Sequence, residues 1–156
     1  KEFKIFKLKP DFNNELSLSE NLKNLNKQLE KVKIENIKQD KNKNIIKDKK
    51  ISNITLREQI LKDFPPKELR GIIDQGKKEI KSGIIISIST FDDKVGVAVG
   101  VSNDLISKYD AVTLVKIASK ILGGKGGGGR KDFAQAGGVN KNKIQEAFTE
   151  VLKRIS

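Results

Sequence analysis

The segment best suited to bind a ligand lies at residues 123–138, where eight of the sixteen residues are glycine. A turn needs one or two glycines, whereas a cluster of them lets backbone N–H groups approach a ligand closely, as in phosphate-binding loops. Cationic side chains flank this cluster. We therefore predict a loop that binds phosphate or the edge of an RNA fold. Its candidate residues are Lys125, Gly126, Gly127, Gly128, Gly129, Arg130 and Lys131.

Other interpretations of this segment fit less well. It lacks the Gly-Lys-Ser/Thr ending of a Walker A loop, and it matches a dinucleotide fingerprint only loosely, because that motif follows a strand and here a helix is predicted. A flexible linker is the main alternative. Glycine-rich linkers, however, do not normally end in a block such as Arg-Lys-Asp-Phe-Ala-Gln that leads into a packed helix.

The sequence offers few groups for catalysis. It contains no Cys and no His, which excludes a Cys/His zinc site, a thiol nucleophile and an imidazole base. Asp132 stands alone beside the glycines, and we expect it to orient the loop and not to catalyse a reaction. We therefore expect no catalytic residue, no metal site and no cofactor within these residues.

The chain carries a strong positive charge. Its 32 Lys and Arg residues against 20 Asp and Glu residues give a formal net charge of +12, which attracts polyanions and makes nucleic acid the first partner to consider. A Lys-, Asn- and Ile-rich composition also arises from biased codon usage. Charge alone therefore leaves both explanations open.

The N-terminal part predicts a helical subdomain at residues 13–47, after a tether or short strand at residues 1–12. Ser17 and Glu20 have the spacing of a capping box, and apolar residues follow at steps of four and three. The apolar stripe of the helix at residues 17–39 covers only about two heptads. Packing on its own domain and formation of a homodimer therefore stay equally open.

The lysine-rich stretch at residues 38–50 is predicted to be a solvated linker or an exposed helix end. A charge run of this kind is usually solvated surface, and contact with phosphates is its functional alternative.

Residues 48–156 predict a globular domain. The pattern indicates a strand within 51–60, a helix from Pro66 to Ser82, a hairpin of strands at 84–88 and 95–101, a helix from Ser102 to Gly123 and a last helix from Asn140. The fold class is therefore α+β, with an N-terminal helical segment followed by a globular α/β sandwich-like domain. In that domain we expect a small β-sheet packed by helices.

The composition also indicates whether the chain is a fragment and in which compartment it works. No Met occurs at position 1 or elsewhere, so we expect a fragment of a longer protein. No apolar run reaches the roughly 20 residues that span a bilayer, and no signal peptide is recognisable. The absence of Cys fits a reducing compartment. We therefore expect a soluble, cytoplasmic protein with no membrane partner.

The segment GGKGGGGRKDFAQAGG at residues 123–138 resembles the glycine-rich motif of the DHH-associated domain, in the form that closes alanyl-tRNA synthetases. The similarity extends over residues 51–156, through PPKELRGIIDQGKKEIKSGIIISIS, VGVAVGVSNDL and AVTLVKIASKILGG. The motif adds Gln135 to the candidate site residues. Lys131 and Phe133 stand where the family often has Pro and Met, so the resemblance implies a freer and more basic loop.

This resemblance implies a non-catalytic domain that binds the outer corner, or elbow, of tRNA(Ala). Such a domain helps aminoacylation and editing to act on one bound tRNA, and its helical part often mediates dimerisation. ATP, magnesium and zinc are then expected only in other domains of the parent enzyme, an alanine–tRNA ligase. Recognition would rely on shape and phosphates, because side chains cannot read the deep groove of an RNA helix.

Two alternatives belong to other classes. One is the domain that holds a nucleotide or single strand in a DHH-type phosphoesterase, although those loops commonly carry a His where this sequence has Arg130. The other is a pure dimerisation module that rests on the helix at residues 17–39.

Overall fold

The computed structural model describes residues 17–39 and 44–156. Its helices and strands, in chain order, are α1 (Leu18–Gln39), β1 (Asn44–Ile51), β2 (Ile54–Lys62), α2 (Leu69–Ile80), β3 (Gly83–Phe91), β4 (Lys94–Val101), α3 (Ala111–Ile121), β5 (Gly127–Gly129), β6 (Phe133–Gly138) and α4 (Ile144–Ile155). Short 3₁₀ helices at Pro66–Glu68 and Lys141–Lys143 precede α2 and α4. The predicted tether or strand at residues 1–12 lies outside the described residues.

Helix α1 begins at the predicted capping box. The backbone N–H of Ser17 donates to the Glu20 carboxylate at 3.1 Å, and the backbone N–H of Glu20 donates to Ser17 Oγ at 3.3 Å. These bonds satisfy N–H groups that the start of a helix otherwise leaves unpaired. The apolar stripe that follows is largely exposed, with 72% of Leu18 and 52% of Leu22 accessible to solvent.

The residues of strand β1 were predicted to be a linker or a helix end, and this prediction was wrong. The strand pairs antiparallel with β2, and ion pairs across the two strands offset its charge. Lys49 lies 2.8 Å from Glu58, and Arg57 donates to both oxygens of Asp48 at 2.8 and 2.9 Å. The hydrogen bonds that Arg57 donates to Asp48 raise the pKa of Arg57 above its ordinary value. Cross-strand pairing thus overrides the low strand propensity of lysine, and the globular domain begins before residue 48.

All six strands form one sheet in the order β1-β2-β3-β4-β6-β5. β2 and β3 are parallel and α2 connects them, whereas the other neighbouring strands are antiparallel. The predicted hairpin of β3 and β4 and the mixed α/β fold class are confirmed. The sheet is larger than predicted because β1, β5 and β6 join it.

Helices cover both faces of the central strands. α2 packs on one face, and α3 with α4 packs on the other. Since β3 is covered on both faces, its apolar run is continuous and does not alternate. In β4 the valines face α3 and α4, and small residues face α2. A Cβ at Gly100 would lie 2.3 Å from Ile73 Cγ2, so glycine there allows α2 to lie close to the sheet.

Helix α3 begins later than predicted. Residues 102–104 belong to a turn, because a Ser-Asn-Asp sequence suits a turn as well as a helix start. The true N-cap is Asp110, whose side chain accepts a hydrogen bond from the Val112 backbone N–H at 2.8 Å. The predicted end is confirmed, since Gly123 follows the helix with a φ of 76°. The last helix is also confirmed, although its α-helical part begins at Ile144.

Candidate nucleic-acid interface

The predicted glycine-rich loop at residues 123–138 is, for most of its length, a β-hairpin. β5 pairs antiparallel with β6, and β6 pairs with β4. At the turn, the Arg130 N–H donates to the Phe133 carbonyl at 2.7 Å and the Phe133 N–H donates back at 3.2 Å. The prediction of a loop was wrong because glycine has low strand propensity by itself, and here pairing with β6 imposes the strand.

Backbone hydrogen bonds and ion pairs hold the hairpin turn, and the greater freedom expected from Lys131 stays a prediction. The backbone carbonyl of Lys131 accepts a hydrogen bond from the N–H of Ala111 at 3.0 Å, and that of Asp132 accepts from Val101 at 2.9 Å. The Asp132 carboxylate lies 3.6 Å from Lys77 Nζ and 3.4 Å from Arg130 Nε. Asp132 therefore orients the turn, as its isolation in the sequence suggested.

Several glycines of the segment are required by packing. A Cβ at Gly124 would lie 1.9 Å from the Gly137 carbonyl oxygen, and one at Gly127 would lie 2.4 Å from Ala136 Cβ. Gly129 and Gly138 are similarly crowded, by the β6 backbone and by Leu122. Gly127 and Gly129 thus allow β5 to lie close to β6, whereas Gly124 and Gly138 allow the hairpin to approach the end of α3 at Ser119 and Leu122.

Gly126 and Gly128 differ from these glycines. A Cβ at either would meet nothing within 4 Å. The φ of 114° at Gly126 explains that glycine, because side chains disfavour this conformation. Gly128 has neither crowding nor a positive φ. Neither packing nor backbone conformation therefore accounts for glycine at position 128.

The register shows what Gly128 faces. It lies opposite Gln135 of β6, which lies opposite Ala98 of β4, and Ala98 packs in the core beneath α2. Residues directly opposite each other in a sheet share a face. We call the exposed residues on this α2-facing side of β5 and β6 the glycine shelf. Its members are Gly128, Gln135 and Gly137.

The cationic candidates do not form one cluster. Arg130 lies opposite Phe133, on the face of the shelf, and its side chain is 69% exposed. Lys131 is exposed in the turn itself. Lys125 lies before the other end of β5, five residues from Arg130. Because successive N–H groups of a strand point in opposite directions, β5 does not form the predicted phosphate cradle of converging N–H groups.

One basic side chain beside the shelf was missed by the sequence analysis. The guanidinium carbon of Arg70, on α2, lies 5.5 Å from the centre of the Phe133 ring, and its side chain is 61% exposed. Nothing in the sequence near residue 70 points to the glycine segment, since only the fold brings α2 over β6.

Within residues 17–39 and 44–156, no three Asp or Glu side chains lie together as a metal site would require, and no helix is long and apolar enough to cross a membrane.

Comparison with protein families identifies the chain. Residues 52–156 match the model of the DHHA1 domain, and the chain therefore belongs to the DHHA1 domain family. Its similarity within that family is to the C-terminal region of alanyl-tRNA synthetases, which confirms the resemblance drawn from the glycine-rich motif.

Two relatives and two solved structures illustrate this. The chain is 47% identical over 103 residues to the alanine–tRNA ligase of Paramagnetospirillum magneticum and 43% identical over 106 residues to that of Rhodopseudomonas palustris, matching 66% and 67% of this chain. It spans only 12% of the length of either relative. The C-Ala domain of Aquifex aeolicus alanyl-tRNA synthetase superimposes with a TM-score of 0.64 and 33% identity, covering 70% of this chain and 96% of that domain. A DHH-domain member of the s1p family of ribosomal proteins shares the fold alone, with a TM-score of 0.55 and 16% identity. The superposition covers 86% of this chain and 33% of that protein.

Proposed function

We propose that this chain is the non-catalytic, RNA-binding C-terminal domain of an alanyl-tRNA synthetase and that it binds the elbow of tRNA(Ala). By holding the tRNA it helps aminoacylation and editing act on one bound molecule. The parent enzyme would be an alanine–tRNA ligase of protein biosynthesis, and its ATP, magnesium and zinc would be bound by other domains. The names of the relatives support this assignment, as does the charge of +12.

One observation carries the proposed binding surface. Gly128 is exposed, uncrowded and in an ordinary conformation, so the fold does not require glycine there. A ligand that approaches the backbone of β5 closely does require it, because a side chain would hold that ligand away. The adjacent Arg130 supplies a cation that can pair with a phosphate.

Binding of a tRNA(Ala) transcript by the purified chain tests the proposal. Arg130→Ala should weaken binding about 10- to 100-fold, since a hydrogen bond to a charged group contributes roughly 1.5–3 kcal/mol. Protection of the tRNA elbow in a footprint should be lost in the same variant. The matched control is Arg154→Ala, which removes an exposed arginine from α4 on the opposite face of the sheet. A wild-type chain that does not bind, or an elbow footprint unchanged by Arg130→Ala, would refute the proposed interface.

The fold shared with a DHH-domain protein favours a second candidate function. In that case the shelf would hold a nucleotide or a single strand, as the domain of a DHH-type phosphoesterase would. Competition separates the two functions. An unstructured oligonucleotide that displaces tRNA at equal concentration favours the second, whereas displacement by folded tRNA alone favours the first.

Self-association is a separate proposal that rests on α1. Leu18, Leu22 and Leu29 form an exposed apolar stripe, and a second copy of the helix could cover it. Sedimentation of the wild type against Leu22→Glu, with Lys23→Glu as the polar-face control, decides whether α1 makes a homodimer.

A further inference from the structure

Arg70 lies on helix α2, beside the Phe133 ring at the start of β6. Its guanidinium carbon is 5.5 Å from the centre of the Phe133 ring, within the range of a cation–π contact. Phe133 and Gln135 are two residues apart on β6, so their side chains lie on the same face of the sheet, the one that α2 packs against. The guanidinium group of Arg70 therefore lies against the buried Phe133 ring, on the side of the sheet that carries the glycine shelf.

The fold gains little from Arg70. Its ion pair with Asp74 spans 3.9 Å between side chains that are 61% and 56% exposed, and exposed pairs of this kind contribute little to stability. The Phe133 ring already packs in the core beneath α2 with Ile73 and Ala98.

The chemistry of guanidinium suits this position to RNA. An arginine plane can stack on a nucleobase and carries a charge that favours RNA, whereas lysine is a point charge without a face. Phe133 supports the guanidinium from the side of the core, which limits the freedom that the side chain would lose when a base binds. The exposed face of the glycine shelf leaves room beside it.

We propose that Arg70 is a base-stacking residue, which holds one unpaired RNA base at the edge of the glycine shelf. This inference rests on the proposed function of the shelf as an RNA-binding surface. It deepens that function, because it adds recognition of an exposed base to the phosphate contact expected of Arg130 and extends the interface from the hairpin to α2.

Arg70→Lys tests the inference, because it keeps the charge and removes the plane. We expect it to weaken binding of a tRNA(Ala) transcript about 5- to 150-fold at fixed salt, the range for loss of one stacked base. Arg70→Ala should lose at least as much. The control is Arg154→Lys on the opposite face, which should bind as the wild type does. The exposure of Arg70 predicts folded variants, and equal thermal midpoints verify this.

A spectroscopic signal separates stacking from charge. With 2-aminopurine placed in turn at the unpaired elbow positions, the wild type should change the fluorescence at one position and Arg70→Lys should abolish that change. Arg70→Lys binding within about twofold of the wild type overturns the inference, because charge alone would then suffice. If Arg130→Ala still weakens binding in that case, the proposed function stands without the stacking residue. If the wild type fails to bind tRNA, both fall.

Discussion

Two adjacent glycines of β5 should respond in opposite ways to the same substitution. Gly127 faces α3, and an added Cβ would lie 2.4 Å from Ala136 Cβ and 2.6 Å from the Gln135 carbonyl oxygen. Carbon atoms pack best at about 3.5–4.0 Å, and a paired backbone cannot move aside without breaking the strand. Overpacking of this kind costs about 1–3 kcal/mol. At Gly128 an added Cβ meets nothing within 4 Å.

The comparison isolates the steric cost. Replacing glycine by alanine restricts the unfolded chain and stabilises a compatible site by about 0.4–1 kcal/mol. This gain applies to both variants and cancels between them. Gly127→Ala should therefore be about 1–3 kcal/mol less stable than Gly128→Ala, and Gly128→Ala should be at least as stable as the wild type.

Urea and thermal unfolding measure this difference. For a chain of this size, 1 kcal/mol corresponds to roughly 2–4 °C in the thermal midpoint, so the two variants should melt several degrees apart. Equal losses of stability, or a larger loss in Gly128→Ala, would refute the orientation of β5. Gly128→Ala should also bind tRNA more weakly than the wild type despite its stability, and unchanged affinity would remove the reason for placing RNA on the shelf.

Three further predictions follow from the charged groups. The affinity for tRNA should fall steeply as the salt concentration rises. Arg130→Ala should reduce the slope of log K against log salt by roughly 0.7–0.9, because it removes one phosphate contact. An affinity that does not depend on salt would contradict the electrostatic account. Arg57→Lys should destabilise the chain by about 1 kcal/mol in urea, because the two-nitrogen bond to Asp48 needs the guanidinium fork, and unchanged stability would show that the contact is not formed in solution. Hydrogen bonds from Ser102, and to a lesser extent from Ser82, lower the pKa of Asp104 below 3.8. The ionised carboxylate therefore contributes to folding stability above that pH, and this stability is lost as the pH falls through the lower pKa of the folded state. An NMR titration of the Asp104 carboxyl should therefore have its midpoint below 3.8, and Ser82→Ala should move it upward.

The sequence predicts those elements whose own residues repeat with the period of the structure. The capping box at Ser17 and Glu20 and the apolar stripes of α2, α3 and α4 arise from local spacing. The valines of β4 alternate with small residues at the period of two that a strand requires. Strand β1 does not follow from its sequence, because the partners of Lys49 and Asp48, which are Glu58 and Arg57, lie on the neighbouring strand. Long-range pairing of this kind leaves no local period to detect.

The candidate site was predictable in location and not in geometry. The density of glycine pointed to residues 123–138, but it could not separate Gly127, which is crowded by β6, from Gly128, which faces solvent. That separation depends on which face each residue takes, and the register with β6 alone fixes it. Arg70 was missed for a related reason, because its position beside Phe133 depends on α2 crossing the sheet.

The alternation of faces also constrains how the segment can bind RNA. A mobile loop could present all of its glycines to one ligand, whereas a strand presents every second residue to each side. Gly127 and Gly129, on the α3 side of β5, pack closely against β6 and cannot touch a ligand on the opposite face. On the proposed surface, RNA would then be contacted from the α2 side, by the backbone at Gly128 and the side chains of Arg130, Gln135 and Arg70. A scan of substitutions along the hairpin should accordingly alternate between loss of stability and loss of RNA binding. A scan in which both properties fall together at every position would mean that the segment binds as a loop.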